Sequence, residues 1–189
     1  MNLYKLHSEP TRLKGYNNRL QIPAMAWEEI EKNDFERNIE LEPALAKDPK
    51  SAYKYARQVL EDRFPAGEEA IATSARFGYF YAYYILNTRF PEAEEAIATA
   101  ANFAYEYADG VIDGRFPAGE AAIATRAYYS YNYARKIIKG RWKMGEEAIS
   151  EKIDYSYYYA RDVLRGRFPA GEDVLRTDDM IWGSYNELI

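Results

Sequence analysis

Five arginines each precede an aromatic residue at a turn: Arg63-Phe64, Arg89-Phe90, Arg115-Phe116, Arg141-Trp142 and Arg167-Phe168. Each has a glutamate five residues further on, at Glu68, Glu94, Glu120, Glu146 and Glu172. A guanidinium fork without a protein partner could take a phosphate, one per arginine. A fork answered by its own glutamate is a structural ion pair, strongest when bidentate. The uniform spacing favours the ion pair. Two tyrosine series run alongside: Tyr53, Tyr79, Tyr105, Tyr131 and Tyr157, then Tyr55, Tyr81, Tyr107, Tyr133 and Tyr159. Exposed rings could stack nucleic-acid bases, whereas rings packed between repeated units would bury their faces and leave each hydroxyl to find a partner at the rim. Recurrence favours packing, because the contact between units is what must repeat. The carboxylate doublets Glu68-Glu69, Glu94-Glu95 and Glu146-Glu147 suggest metal or acid–base work, but consecutive helix residues do not share a face. His7 is the single histidine, with no ligand set or nucleophile nearby, and there is no cysteine for a thiolate site or disulfide. Pro-Ala-Gly-Glu lacks the Lys-Ser/Thr of a phosphate-binding loop. The expectation is a protein that is not an enzyme, with no catalytic residues, no cofactor and no metal.

The Arg-aromatic steps recur every 26 residues without slippage, the mark of a stacked repeat array. Each unit divides into two helices. The first, over about 51–60 in unit one, places Ala52, Tyr55, Ala56, Val59 and Leu60 on one face. Asp48-Pro49 offers an N-cap with proline at N1, and Thr73, Thr99, Thr125 and Thr177 stand as N-caps for later units. Gly114, Gly140 and Gly166 read as left-handed stop residues. Asp62 and Thr88 replace them elsewhere, which predicts two differently built ends. The second helix is short, opened by Pro65, Pro91, Pro117 and Pro169, with a glutamate in its first turn against the helix dipole. A helix of two turns does not stand alone in water, so its neighbours must hold it. The fold class is therefore all-α: an α-solenoid of about five 26-residue helix-turn-helix repeats with degenerate caps. Residues 1–47 form an N-terminal segment and capping half-repeat, 48–176 the five-repeat array, and 177–189 a C-terminal cap. Within 1–47, turns fall at 7–10 and 15–18. A helix opens at Pro23, with Met25, Ala26 and Ile30 facing the array and Trp27 at one edge. Glu42, Ala44, Leu45 and Ala46 stand 26 residues before Glu68, Ala70, Ile71 and Ala72.

Shared positions report packing, so partner choice should lie where the repeats differ. Three outward positions of the first helix read Lys54, Arg57, Gln58; Phe80, Tyr83, Tyr84; Glu106, Asp109, Gly110; Asn132, Arg135, Lys136; and Tyr158, Arg161, Asp162. Repeat two has no charged residue from Phe77 to Thr88. Phe80, Tyr83 and Tyr84 form either a protein-contact cluster or a surface over which the N-terminal segment folds through Trp27. Charge is also divided. Glu68 to Thr125 holds nine acids and three arginines, net −6, whereas Arg126 to Arg167 holds ten basic residues and five acids, net +5. Arg135, Lys136, Lys139 and Lys143 make a basic stripe that could meet an acidic protein, nucleic acid, or the acidic half of a second copy.

No apolar stretch approaches the roughly 18–20 residues of a membrane span, and residues 1–8 lack the layout of a signal peptide, so the expected location is cytoplasmic. The phrase Tyr159-Ala160 through Gly166-Arg167-Phe168-Pro169 to Glu172, with Leu6-His7-Ser8-Glu9-Pro10 and Leu13-Lys14-Gly15-Tyr16 near the start, resembles a Tyr/Ala-rich helical repeat found in tailed-bacteriophage proteins, mostly without assigned function. The resemblance spans nearly the whole chain. It departs at Lys143 and Met144, where that family would have proline and a small or acidic residue. It implies a phage-encoded binding scaffold acting in the cytoplasm of the infected host, and it transfers no site residues; inhibition of a host (defence) protein is the role expected of such a scaffold here. The expected function is a non-enzymatic protein-binding scaffold using Phe80, Tyr83 and Tyr84 as anchors and the basic stripe for steering. The alternative is nucleic-acid binding by the basic face of repeats four and five.

Overall fold

The computed structural model describes residues 18–188. The turn at 7–10, all but the last residue of the turn at 15–18, and the leader residues that resemble phage proteins lie outside the described residues. Among the described residues every element is helical and the order repeats. A helix at Pro23–Lys32 leads in, with Pro23 in the first turn, where a missing N–H is harmless. Left-handed Asp34 and Phe35 end it. Trp27, which periodicity places at an edge, is buried with Ala26 and Ile30. Its indole N–H donates to Glu31 and Lys54 Nζ lies 4.5 Å from its ring centroid. The half-repeat follows at Glu42–Leu45, with Arg37 donating to Glu42 at 3.0 Å.

Five units then share one construction. The long helix begins as α-helix at Pro49–Tyr55, Ala75–Tyr81, Ala101–Tyr107, Ala127–Asn132 and Ile153–Tyr158. It widens into a π-helical turn at Ala56–Leu60, Ala82–Leu86, Ala108–Ile112, Tyr133–Ile138 and Tyr159–Leu164. A 3₁₀ turn leads into the short helix, as at Pro65–Gly67 before Glu68–Ala72. A last long helix, Asp179–Asn186, carries the pattern beyond the fifth unit.

The π turn corrects two local expectations. The left-handed residues are Glu61, Asn87, Asp113, Lys139 and Arg165, with φ between 51° and 57°, and no described glycine has positive φ. The wider turn advances the stop by one residue. Asp62, Gly114, Gly140 and Gly166 then send their N–H back six residues to Ala56, Ala108, Ala134 and Ala160. A Cβ at Gly140 or Gly166 would meet nothing within 4 Å, which is why Asp62 and Thr88 fit at that position; all five ends share the left-handed stop, and the Asp62 end also shares the six-residue bond of the glycine ends. The threonines also act differently. Thr73, Thr99 and Thr125 donate to the carbonyls of Ala70, Ala96 and Ala122 at 2.7 Å, closing the short helix behind them; Thr177 donates to Val174 in the same way. The N-cap is one residue later, where Ser74 and Asp178 accept backbone N–H groups, as Asp48 does in unit one.

The recurring polar residues bind unit to unit. Arg63 grips Glu68 through two bonds of 2.9 Å. The hydroxyl of Tyr81, in the next unit, donates to Glu68 at 2.8 Å and accepts the N–H of Phe64 at 2.8 Å. Tyr107, Tyr133, Tyr159 and Tyr185 repeat this pair of bonds one unit further each time, and Tyr55 donates to Glu42. All six tyrosines are fully buried. Burial pushes the phenols of Tyr55, Tyr107, Tyr133 and Tyr159 up to about 12. The arginine bond holds the carboxyls of Glu68, Glu94 and Glu172 below their ordinary value.

A steric interlock sets the approach of the two helices. A Cβ on Gly67 would lie 2.7 Å from Ala52 Cβ, and one on Gly119 would lie 2.7 Å from Ala104 Cβ. Unit two reverses the pair: Ala93 stands on the turn and Gly78 on the long helix, where a Cβ would lie 2.6 Å from Ala93 Cβ. Each contact has room for one methyl group.

Candidate functional site

The long helices present one face on which the repeats differ. In unit two, Phe80 is half-buried between neighbours, with ring centroids 5.9 Å from Tyr53 and 6.0 Å from Phe103. It is therefore as much a link between units as an anchor. Tyr83 and Tyr84 are 40% and 45% exposed and meet edge to face at 4.9 Å. Arg57, from unit one, lies 5.1 Å over the Tyr84 ring, and Arg76, in the first turn of the same helix, lies 5.5 Å over Phe80, so the uncharged segment has cations beside it. Trp27 engages Phe35 and Lys54 instead of this cluster. Tyr83 leans across the next unit at Gly110, where any Cβ would come within 2.9 Å of its ring. A groove of about 380 Å³ opens there, lined by Ala82, Tyr83, Tyr84, Asn87, Gly110 and Val111.

The basic stripe does not form one surface. Lys136 Nζ contacts Asp109 at 2.8 Å and lies over Tyr105, joining units three and four, and its bond to Asp109 raises its pKa. Arg135 lies 5.4 Å over Tyr131. Lys139 occupies the left-handed stop. Arg135 and Lys139 line a second groove of about 370 Å³ with Gly140, Asp162, Val163 and Arg165. Lys143 opens the 3₁₀ turn of the short helix, is exposed, and does not line that groove. Asn132, one of the positions read as outward, is buried and donates to the Tyr128 carbonyl.

Sequence reasoning misses Tyr128, which is 50% exposed and meets Tyr129 at 5.0 Å and Tyr155 at 6.2 Å. Together with Tyr158, under the Arg161 guanidinium at 5.0 Å, it makes a second aromatic patch on units four and five. The signal is present in the chain, because Tyr128 shares its position in the repeat with Lys50, Arg76, Asn102 and Asp154. That position is as variable as the three compared above. No three carboxylate or imidazole groups among the described residues are placed to hold a metal ion, and every buried polar side-chain atom among them has a partner. No described helix is long and apolar enough to cross a membrane. No family model, curated protein or solved structure matches the chain.

Proposed function

We propose that the protein is a binding scaffold that holds another protein against the variable face of its long helices, with Tyr83 and Tyr84 as the central anchors. The observation that supports this is an uncharged helix segment, Phe77 to Thr88, whose two tyrosines remain 40% and 45% exposed beside a groove. Large rigid aromatics that can be fully desolvated dominate protein interfaces, where truncating one costs about 2 kcal/mol or more. The resemblance to phage repeat proteins makes a host protein the first partner to seek, with inhibition as the outcome.

The test is capture from host lysate on immobilised protein, with and without nuclease, followed by mass spectrometry. Tyr83→Arg and Tyr84→Gln install the residue types that unit one carries at the same positions, Arg57 and Gln58, so the array should fold unchanged. The expected result is a nuclease-resistant partner whose affinity falls about thirtyfold with either change. Capture that vanishes with nuclease, or that ignores both substitutions, refutes the proposal.

A further inference from the structure

The groove beside Tyr83 and the groove beside Arg135 are one architectural feature, two repeats apart. Tyr83, Asn87 and Gly110 correspond to Arg135, Lys139 and Asp162, each 52 residues further on. The volumes match, at about 380 and 370 Å³. The linings do not. The first groove has no charged residue. The second has three cations, Arg135, Lys139 and Arg165, none of which is ion-paired among the described residues. Its one acid, Asp162, is already occupied. It accepts from Arg161 at 2.6 Å and from the Tyr131 hydroxyl at 2.6 Å, and the arginine bond lowers its pKa.

We propose, building on the protein-binding reading, that the two grooves together select an extended acidic segment of the partner protein. One apolar side chain sits beside Tyr83 and Tyr84, and one carboxylate sits among Arg135, Lys139 and Arg165. Stacked helices spaced about 8–10 Å apart put the grooves roughly 16–20 Å from one another. An extended chain advances about 3.3 Å per residue, so the carboxylate lies about five or six residues from the apolar anchor. A nucleic-acid strand is the poorer fit. Its charge recurs at every nucleotide, whereas Glu68 to Thr125, which contains the aromatic groove, carries net −6. A single carboxylate needs only the one cationic groove.

The full-length protein is immobilised and panned against displayed random dodecapeptides, and enriched sequences are synthesised and titrated by fluorescence anisotropy. Arg135→Asp combined with Lys139→Glu reverses the groove with residue types found at the same positions in Asp109 and Glu61. Lys143→Glu, outside both grooves, is the control for charge reversal elsewhere on the array. The expected peptides pair an aromatic or aliphatic residue with Asp or Glu about five or six positions away. Their affinity should fall about tenfold or more on groove reversal, fall with Tyr84→Gln, and hold with Lys143→Glu. Enriched peptides without acidic residues, or peptides indifferent to groove reversal but lost with Tyr84→Gln, overturn this inference and leave the protein-binding reading intact. A pool with no enrichment overturns this inference alone, since host capture tests the other separately. Tight binding of an oligothymidylate probe that groove reversal abolishes overturns both.

Discussion

Replacing Gly119 by alanine tests the steric interlock. The new Cβ would stand 2.7 Å from Ala104 Cβ and 2.6 Å from Phe116 Cδ1, about 1 Å inside the optimum for carbon pairs. Relief requires the turn or the long helix to move, at a cost of about 1–3 kcal/mol. Ala104→Gly alone should cost about 1 kcal/mol in helix propensity and about 0.8 kcal/mol in lost burial. Simple addition puts the double mutant roughly 3–5 kcal/mol below wild type. Unit two already carries the reversed pair, Gly78 opposite Ala93, so the transplanted methyl should fill the space the other vacates. The double mutant should lie only about 1 kcal/mol below wild type, a favourable coupling of about 2 kcal/mol or more. Urea unfolding followed by circular dichroism measures all four corners of the cycle. Hydrogen exchange in units three and four localises the effect, because repeat arrays couple through nearest neighbours. A double mutant as unstable as the sum of its parts would refute the one-methyl rule, as would a harmless Gly119→Ala.

The remaining predictions concern the ladder and the helix stop. Tyr107→Phe strands the Phe90 N–H and removes a donor from Glu94, and should cost about 1–3 kcal/mol by urea unfolding; Tyr105→Phe, whose hydroxyl donates to the half-exposed Asp109 at 3.2 Å and strands no backbone group, should cost less. Stability should be greatest between the two titrations. Carboxyls held low at Glu68, Glu94 and Glu172 favour the fold above their unfolded value and lose that contribution as pH falls below about 4. Phenols raised to about 12 favour the fold below pH 10 and lose that contribution as pH rises from there toward 12. Urea midpoints across pH, with tyrosinate absorbance at the alkaline end, check both limbs, and a midpoint that rises above pH 10 contradicts the buried ladder. Glu61→Gly should stabilise by about 0.5–1 kcal/mol, because Glu61 holds a left-handed conformation. Gly140→Ala should be neutral or slightly stabilising, where a left-handed glycine would make it destabilising.

The repeat, its division into a long and a short helix, and the half-repeat at Glu42 are legible in the chain because they rest on local periodicity and recurrence. The Arg63–Glu68 pairing is legible for the same reason, since its partners stand five residues apart and every unit repeats them. The buried role of Tyr81 is half legible. Recurrence marks it as packing, but its partners, Glu68 and the Phe64 N–H, lie 13 and 17 residues back and emerge only when units stack. The helix stop at Glu61 was hidden by the π turn, whose extra residue per turn shifts the phase that glycine spacing suggests.

The candidate site divides the same way. The uncharged aromatic segment from Phe77 to Thr88 and the basic character of repeat four are legible in the chain, because composition at a known position in the repeat needs no coordinates. Which of those residues can meet a partner emerges when the units stack. Lys136 is drawn to Asp109, 27 residues earlier; Phe80 is wedged between two units; Tyr128 is left exposed; and Arg135, Lys139 and Arg165 gather around one groove. The physical reason is that exposure and ion pairing depend on what the neighbouring unit places opposite a side chain, and that neighbour is about one repeat away along the chain.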